Sequence, residues 1–391
     1  MSFDFDTPIE RRQTNCAKWD ELEAIFGVST ADGLPMWTAD MDFRAPPAVN
    51  ATLQNMVDHG VHGYFGDSAA YHSAIVNWMD RRHDWRVDPE CIATTHGLVT
   101  AIGLCLQAFT APGDRVILFT PVYHVFSKMV AANEREVVEA ELVKGEDSYH
   151  IDFDALEAMM TGQERMVIFC SPHNPIGKVW SAGELAQVAQ FCEKHDLILI
   201  SDEIHHDLVY PGFSHTPMIN AAPKQIDRIV MLTAASKTFN LAGGKAGQVT
   251  IPNEALRARF AKAHAALGTS ANRFGVMMTT AAYAYGEDWL EALLAYLNET
   301  RRIVDDGLNA IPGVRSMPLG ATYLAWVDFR DTGMDEDELR DRIEGRARVV
   351  GFHGKMFGAG GAGHVRFNFA MTQSRVRTAV ERLQDAFADL Q

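Results

Sequence analysis

Ten residues, Ala234-Ala235-Ser236-Lys237-Thr238-Phe239-Asn240-Leu241-Ala242-Gly243, carry the first candidate for chemistry, Lys237. The apolar run Ile229-Val230-Met231-Leu232-Thr233 leads into them and predicts a short buried strand. A lysine just past the end of such a strand sits where open α/β sheets place their ligands. Two more runs have the same form. Leu197-Ile198-Leu199-Ile200-Ser201 ends in Asp202-Glu203-Ile204-His205, and Met166-Val167-Ile168-Phe169-Cys170 ends in Ser171-Pro172-His173-Asn174-Pro175-Ile176-Gly177. Taken singly, a lysine is usually a solvated surface charge. Three strand ends that offer an amine, a carboxylate and an amide to one crevice are a different matter.

That set meets the needs of pyridoxal phosphate. The lysine can hold the aldehyde as a Schiff base, and the carboxylate can pair with the pyridinium nitrogen so that the ring acts as an electron sink. The amide can bond the ring phenolate. With SPHNPIG, SDEIH and SKTFNLAG in this order, the chain resembles the aspartate-aminotransferase superfamily of fold type I pyridoxal-phosphate enzymes over nearly its whole length. Within it, the chain is most similar to the cystathionine β-lyase or C–S lyase branch. The resemblance implies an α/β protein: a transferase-like large domain with a mostly parallel central sheet at 47–286 and a smaller α/β domain at 287–391. A segment at 1–46 would contribute to the small domain and the active-site mouth.

The remaining elements must position these groups. Residues 47–58 read as a helix, followed by the glycine-punctuated loop Gly60-Val61-His62-Gly63-Tyr64-Phe65-Gly66. Tyr64 is either an exposed loop tyrosine or, as the resemblance implies, a group that reaches the cofactor phosphate in the partner subunit of a homodimer with shared sites. Ile92-Ala93-Thr94-Thr95 leads into His96-Gly97 and an apolar-periodic helix from Leu98 to Phe109. A glycine there lets a phosphate approach free N–H groups at the positive end of the helix, with Gly97 and Leu98 donating. The strand Arg115 to Phe119 closes with Thr120-Pro121-Val122-Tyr123, where Tyr123 either packs under the strand end or, matching the branch, stacks on the cofactor ring. A strand at 137–142, helices at 154–160 and 182–194, and the three strand ends complete an α/β rhythm. Asn253 looks like a helix cap, and a long helical pattern from Phe274 to Leu308 bends near Gly286. Gly320-Ala321-Thr322-Tyr323-Leu324-Ala325-Trp326-Val327-Asp328 reads as an alternating strand. So does Val365-Arg366-Phe367-Asn368-Phe369. Arg366 has apolar neighbours and must find a partner or be costly; the resemblance implies the substrate α-carboxylate, bound bidentately. It also implies that Trp37 and Asp40, in Trp37-Thr38-Ala39-Asp40-Met41-Asp42-Phe43, line the mouth, and that Asn174 faces substrate as well as cofactor.

Two patterns mislead. Glu203, His205 and His206 suggest a metal site but lack an i, i+4 histidine pair, so no metal is expected. His205 instead falls where the branch bonds the ring phenolate. Gly358 to Gly363 matches a dinucleotide fingerprint but precedes a strand, so it reads as a loop. The chain also departs from the superfamily. Ala234 stands where a serine or threonine usually touches the phosphate, and Lys245, after an unusual Gly244, replaces an arginine. Ser236 and Lys245 are then expected to complete the phosphate site.

Composition narrows the class. A net charge of −16 argues against a nucleic-acid groove. Five scattered cysteines suit reduced, cytoplasmic thiols, and no apolar run approaches membrane length. The expected reaction is α,β-elimination from cystathionine or another sulfur-substituted L-amino acid. The catalytic set would be Lys237, Asp202 and Tyr123, and His205 with the WTADMDF and GATYLAW stretches favours the lyase. An L-amino-acid aminotransferase and a pyridoxal-phosphate protein that regulates by binding a partner are the alternatives.

Overall fold

Runs of consecutive apolar residues, as opposed to alternating ones, form strands buried on both faces, and such runs make the centre of a seven-stranded sheet. The computed structural model describes residues 3–390, so Met1, Ser2 and Gln391, at the two ends of the expected segments, lie outside the described residues. In chain order the strands are β1 Ile92–Thr95, β2 Arg115–Thr120, β3 Glu136–Glu141, β4 Glu164–Cys170, β5 Ile198–Asp202, β6 Ile229–Thr233 and β7 Gly247–Thr250. Their spatial order is β1-β7-β6-β5-β4-β2-β3. Neighbours from β3 through β6 pair in parallel, and β7 is antiparallel to both β6 and β1. The chain steps outward from β2 to β3, then returns past β2 to β4. That reversal opens a crevice at the carboxyl ends of the strands. β3 closes the edge with exposed Glu136, Glu139 and Glu141 alternating with buried Val138 and Ala140.

A second sheet is built from β8 Arg315–Ser316, β9 Leu324–Asp328, β10 Phe352–His353 and β11 His364–Asn368, in the order β8-β9-β11-β10 and antiparallel throughout. The helices Glu287–Asn309 and Gln373–Ala386 pack together beside it. The N-terminal segment joins this layer, because Leu34–Pro35 pairs in parallel with Val349–Val350.

Local signals set many of the boundaries. Ser181 and Glu184 form a capping box on the helix Ala182–Lys194, and the Asn253 side chain accepts from Leu256 N–H. The expected bend falls at Gly286, between helices Arg273–Tyr285 and Glu287–Asn309, where a Cβ would come within 2.6 Å of the Phe239 ring. The strand expected from Gly320 begins only at Leu324. Gly320 and Ala321 donate instead to the Gly177 carbonyl, and Thr322 has a positive φ of 74°. Tertiary contact with the SPHNPIG turn thus overrides the alternation. The helix Ala69–His83 and the antiparallel strand β7 are not among the elements read from sequence.

The helix Arg273–Tyr285 crosses the Gly244 turn so closely that a Cβ on Gly275 would lie 1.9 Å from the Gly244 oxygen. Gly275→Ala is therefore expected to lower stability by about 1–3 kcal/mol, read as a lower denaturant midpoint with an unchanged slope.

Candidate active site

The strand ends deliver their side chains to one cavity of about 350 Å³. Lys237 stands on the short helix Ala235–Thr238 after β6, and Asp202 is the last residue of β5. Tyr123 and Asn174 follow β2 and β4, and all four line the cavity with His205. The Lys237 turn is held by its neighbours. Phe239 is buried against Trp78, Tyr283 and Trp289. Asn240 accepts from Met41 N–H at 3.0 Å and donates to the carbonyls of Met41 and Phe43, both at 2.9 Å. The Lys237 Nζ donates to the Ala39 carbonyl at 2.6 Å, and that oxygen also accepts from the Tyr323 hydroxyl at 3.1 Å.

Burial governs the electrostatics. It lowers Lys237 to about 8 and raises Asp202 to about 7, although Ile204 N–H donates to the Asp202 carboxylate at 3.1 Å. It also holds His205 well below the usual imidazole range, with Lys237 and Arg366 adding to the effect, and leaves His205 Nδ1 without a partner.

One wall is built around the start of the helix Leu98–Phe109. Gly97 precedes the helix Leu98–Phe109 with φ 81° and ψ 167°, a conformation open essentially to glycine alone. Leu98, Ser236 and Lys245 join it in lining the cavity. The Lys245 stem crosses Gly97, with Cδ 3.9 Å from where a Cβ would stand. The departure at Gly244 has a packing cause. Asn272 Nδ2 donates to its oxygen at 2.7 Å, and a Cβ on Gly244 would lie 3.3 Å from Gly275.

The opposite wall holds Arg366, buried on β11. Its Nη1 donates to Asn174 Oδ1 and its Nη2 to the Trp37 carbonyl, both at 2.9 Å, while Nε has no partner. The guanidinium lies against the rings of both Phe352 and Phe357, at 5.2 and 5.1 Å from their centroids. Among the described residues no carboxylate comes within ion-pair distance of Arg366, and burial lowers its pKa to about 10. A buried guanidinium is costly without a counter-charge, and its planar fork suits a carboxylate.

A family model for class I and II aminotransferases matches residues 38–383. The chain belongs to that family. This aminotransferase-family chain is 37% identical over 387 residues to the cystathionine β-lyase PatB of Bacillus subtilis, covering 98% of the chain and 100% of the relative. Two solved structures share its shape. Cystalysin of Treponema denticola, which contains pyridoxal 5'-phosphate, aligns with a TM-score of 0.95 at 35% identity over 100% of both chains. The pyridoxal-phosphate-bound C–S lyase of Staphylococcus hominis aligns with a TM-score of 0.92 at 30% identity, over 99% of this chain and 98% of that one.

One expected site residue of this family member is placed elsewhere. Asp40 does not line the cavity. Its carboxylate pairs with Arg11 at 2.9 Å, beside the Arg11–Asp42 pair at 2.6 Å, so its contacts are those of an ion-pair network that holds the N-terminal segment. Tyr64, expected to reach a partner subunit's site, is fully exposed and does not line the cavity of its own chain. Trp37 does line the cavity, but its indole packs with Phe26 and Phe352 and donates to Lys18 O at 2.9 Å. Its carbonyl is the group that meets Arg366. Sequence reasoning missed Phe352 and the Ala39 carbonyl. A lone phenylalanine gives no signal, and a carbonyl belongs to every residue.

Arg366→Lys is expected to raise KM for L-amino acids at least tenfold with the bound-cofactor absorbance unchanged, since a point charge cannot reproduce the fork. Steady-state kinetics beside a visible spectrum checks both halves. For Asp202, a folded-state pKa of about 7 against an ordinary 3.8 means that its contribution to stability falls as pH rises from about 4 through 7. Asp202→Asn is therefore expected to raise the cofactor-free unfolding midpoint at pH 8 while cutting holoenzyme turnover by about a thousandfold, roughly 4 kcal/mol of barrier. Thermal melts of stripped protein and kcat of loaded protein give the two readouts.

Proposed function

We propose that this chain is a pyridoxal-phosphate-dependent C–S β-lyase that cleaves cystathionine or a related L-cysteine S-conjugate to thiol, pyruvate and ammonia. The observation that carries the reading is Arg366, a buried guanidinium with no carboxylate in ion-pair distance among the described residues, in one cavity with Lys237 and Asp202. The full-length similarity to PatB and to the Staphylococcus C–S lyase supports elimination as the reaction.

The residues present fit the cofactor. Its phosphate would be held by the N–H groups of Gly97 and Leu98 with Ser236 and Lys245, its ring nitrogen by Asp202, and its ring oxygen by Asn174 and His205. Tyr123 would cover the ring. Bound there, pyridoxal phosphate supplies a carbonyl that captures amines and a cationic ring that stabilises negative charge at the substrate Cα. The protein does the rest. Arg366 and Asn174 fix the substrate carboxylate and so orient the Cα–H bond. Lys237 Nζ, lowered to about 8, keeps a neutral fraction at physiological pH and takes the Cα proton. The substrate Cβ–S bond then breaks, the sulfur leaves with the bonding pair, and water converts the remaining three-carbon fragment to pyruvate and ammonia.

A homodimer is part of this proposal. Exposed Tyr64 and Val61 lie on a loop that Arg273 holds by donating to the carbonyls of Val61 and Gly63, at 3.0 and 3.2 Å, with half-exposed Phe274 beside it. A fixed loop with apolar tips suits a second copy that would receive Tyr64 in its own site.

Given cystathionine and no keto acid, the enzyme is expected to release pyruvate, ammonia and thiol in equal amounts over many turnovers. An aminotransferase would stop after one half-reaction per site and resume when a keto acid is added. That stop would overturn the lyase assignment.

A further inference from the structure

Residues 206 and 207 continue past the active-site turn into a second buried cluster. Asp207 Oδ1 accepts from His83 Nε2 at 2.7 Å and Trp78 Nε1 at 3.1 Å, and Oδ2 accepts from Thr238 Oγ1 at 2.8 Å. His206 donates from Nδ1 to the Glu203 carbonyl at 2.5 Å. Its Nε2 lies 3.2 Å from Asp207 Oδ2, out of line for a hydrogen bond, and is buried without a hydrogen-bonding partner. The His83 and His206 rings are 4.7 Å apart, and His215 is 5.7 Å from the His83 ring.

We infer that His83, His206 and Asp207 form a binding site for a divalent transition-metal ion such as Zn²⁺. One ligand atom from each of the three lies within 4.8 Å of the others. Two imidazoles and a carboxylate are the donor set that borderline ions take, with a fourth position left for water or a further ligand. The Nδ1–H bond from His206 to a backbone carbonyl fixes the tautomer that presents Nε2 as a ligand, the usual support of a metal-bound histidine. A proton on His206 Nε2 would pair with Asp207 Oδ2 at 3.2 Å, and a metal ion would take the place of that proton between the two side chains.

The other charges nearby are compatible with an added cation. Arg82 Nε is 3.5 Å from Asp207, but its guanidinium also pairs with Glu291 at 2.6 Å and Glu287 at 3.8 Å. Glu203 adds a buried carboxylate, bonded to His215 Nε2 at 2.8 Å. A cavity of about 350 Å³, lined in part by His83, His206, Ser214 and His215, gives the ion its entry path. It shares no lining residue with the Lys237 cavity. Local spacing does not reveal the site, since His83 comes from a helix more than a hundred residues upstream. The ion would act structurally, because Asp207 holds Thr238 beside Lys237.

The test uses holoenzyme treated with EDTA, desalted and titrated with Co²⁺ or Zn²⁺. One Co²⁺ per chain is expected, with visible ligand-field bands to the red of the cofactor absorbance, and one Zn²⁺ that raises the unfolding midpoint. His206→Ala and His83→Gln should each weaken affinity at least tenfold and abolish the bands. Should one variant fail to fold, the other and the parent titration still decide. No uptake by the parent, or uptake equal to that of a folded variant, overturns the site.

Discussion

Asp202 and Arg366 are buried and Lys237 is half-buried in one crevice, and the rest of the site is arranged around that desolvation. Burial disfavours each charged form, bringing the amine down to about 8, the guanidinium down to about 10 and the carboxyl up to about 7. Left alone, such groups destabilise a fold. Two of the missing partners are groups that ligands carry: a basic ring nitrogen for Asp202 and a carboxylate for Arg366. A ligand that carries both would relieve those desolvation costs, so its binding is linked to stability.

Three separate pieces of chain make the crevice. The central sheet supplies Lys237, Asp202 and Asn174, the second sheet supplies Arg366, and the N-terminal segment supplies carbonyls. Their junction is a short set of hydrogen bonds. Arg366 joins β11 to Asn174 and to Trp37, Lys237 reaches Ala39, and Asn240 binds Met41 and Phe43. Asn368, two residues along β11 from Arg366, donates to the carbonyls of Thr38 and Asp40 at 2.5 and 2.6 Å. The N-terminal strip is thus fixed on both sides by side-chain amides, and the buried Lys18–Asp42 pair at 3.2 Å anchors its base. A strip held this way presents backbone groups with little freedom, as preorganised binding requires.

The departures at the phosphate wall make sense as a set. Gly244 allows the helix Arg273–Tyr285 to approach, and Lys245 then adopts a left-handed backbone with φ 47°. From there its stem passes Gly97 at the head of the helix Leu98–Phe109. In the proposed site the positive end of that helix and one ammonium would share the binding of the phosphate, which would lessen the need for a hydroxyl at Ala234.

What could be read from the sequence was local. The apolar runs ending in Asn174, Asp202 and Lys237 mark strand ends because unbroken hydrophobicity followed by turn residues reports burial on both faces and then a stop. Glycine at 97 and 286 and the cap at Asn253 were legible for the same reason, since each satisfies a backbone requirement of its own neighbours. The tertiary structure decided what fills the space opposite. Asp40 became an ion-pair partner of Arg11, Phe352 and Phe357 became the walls around Arg366, and Gly320 to Tyr323 left the strand to meet Gly177. His83 came to rest beside Asp207, and Lys237 found a carbonyl 198 residues away. Periodicity states which face of an element is buried. Which distant group meets that face depends on how whole elements pack, and no single stretch of sequence encodes that.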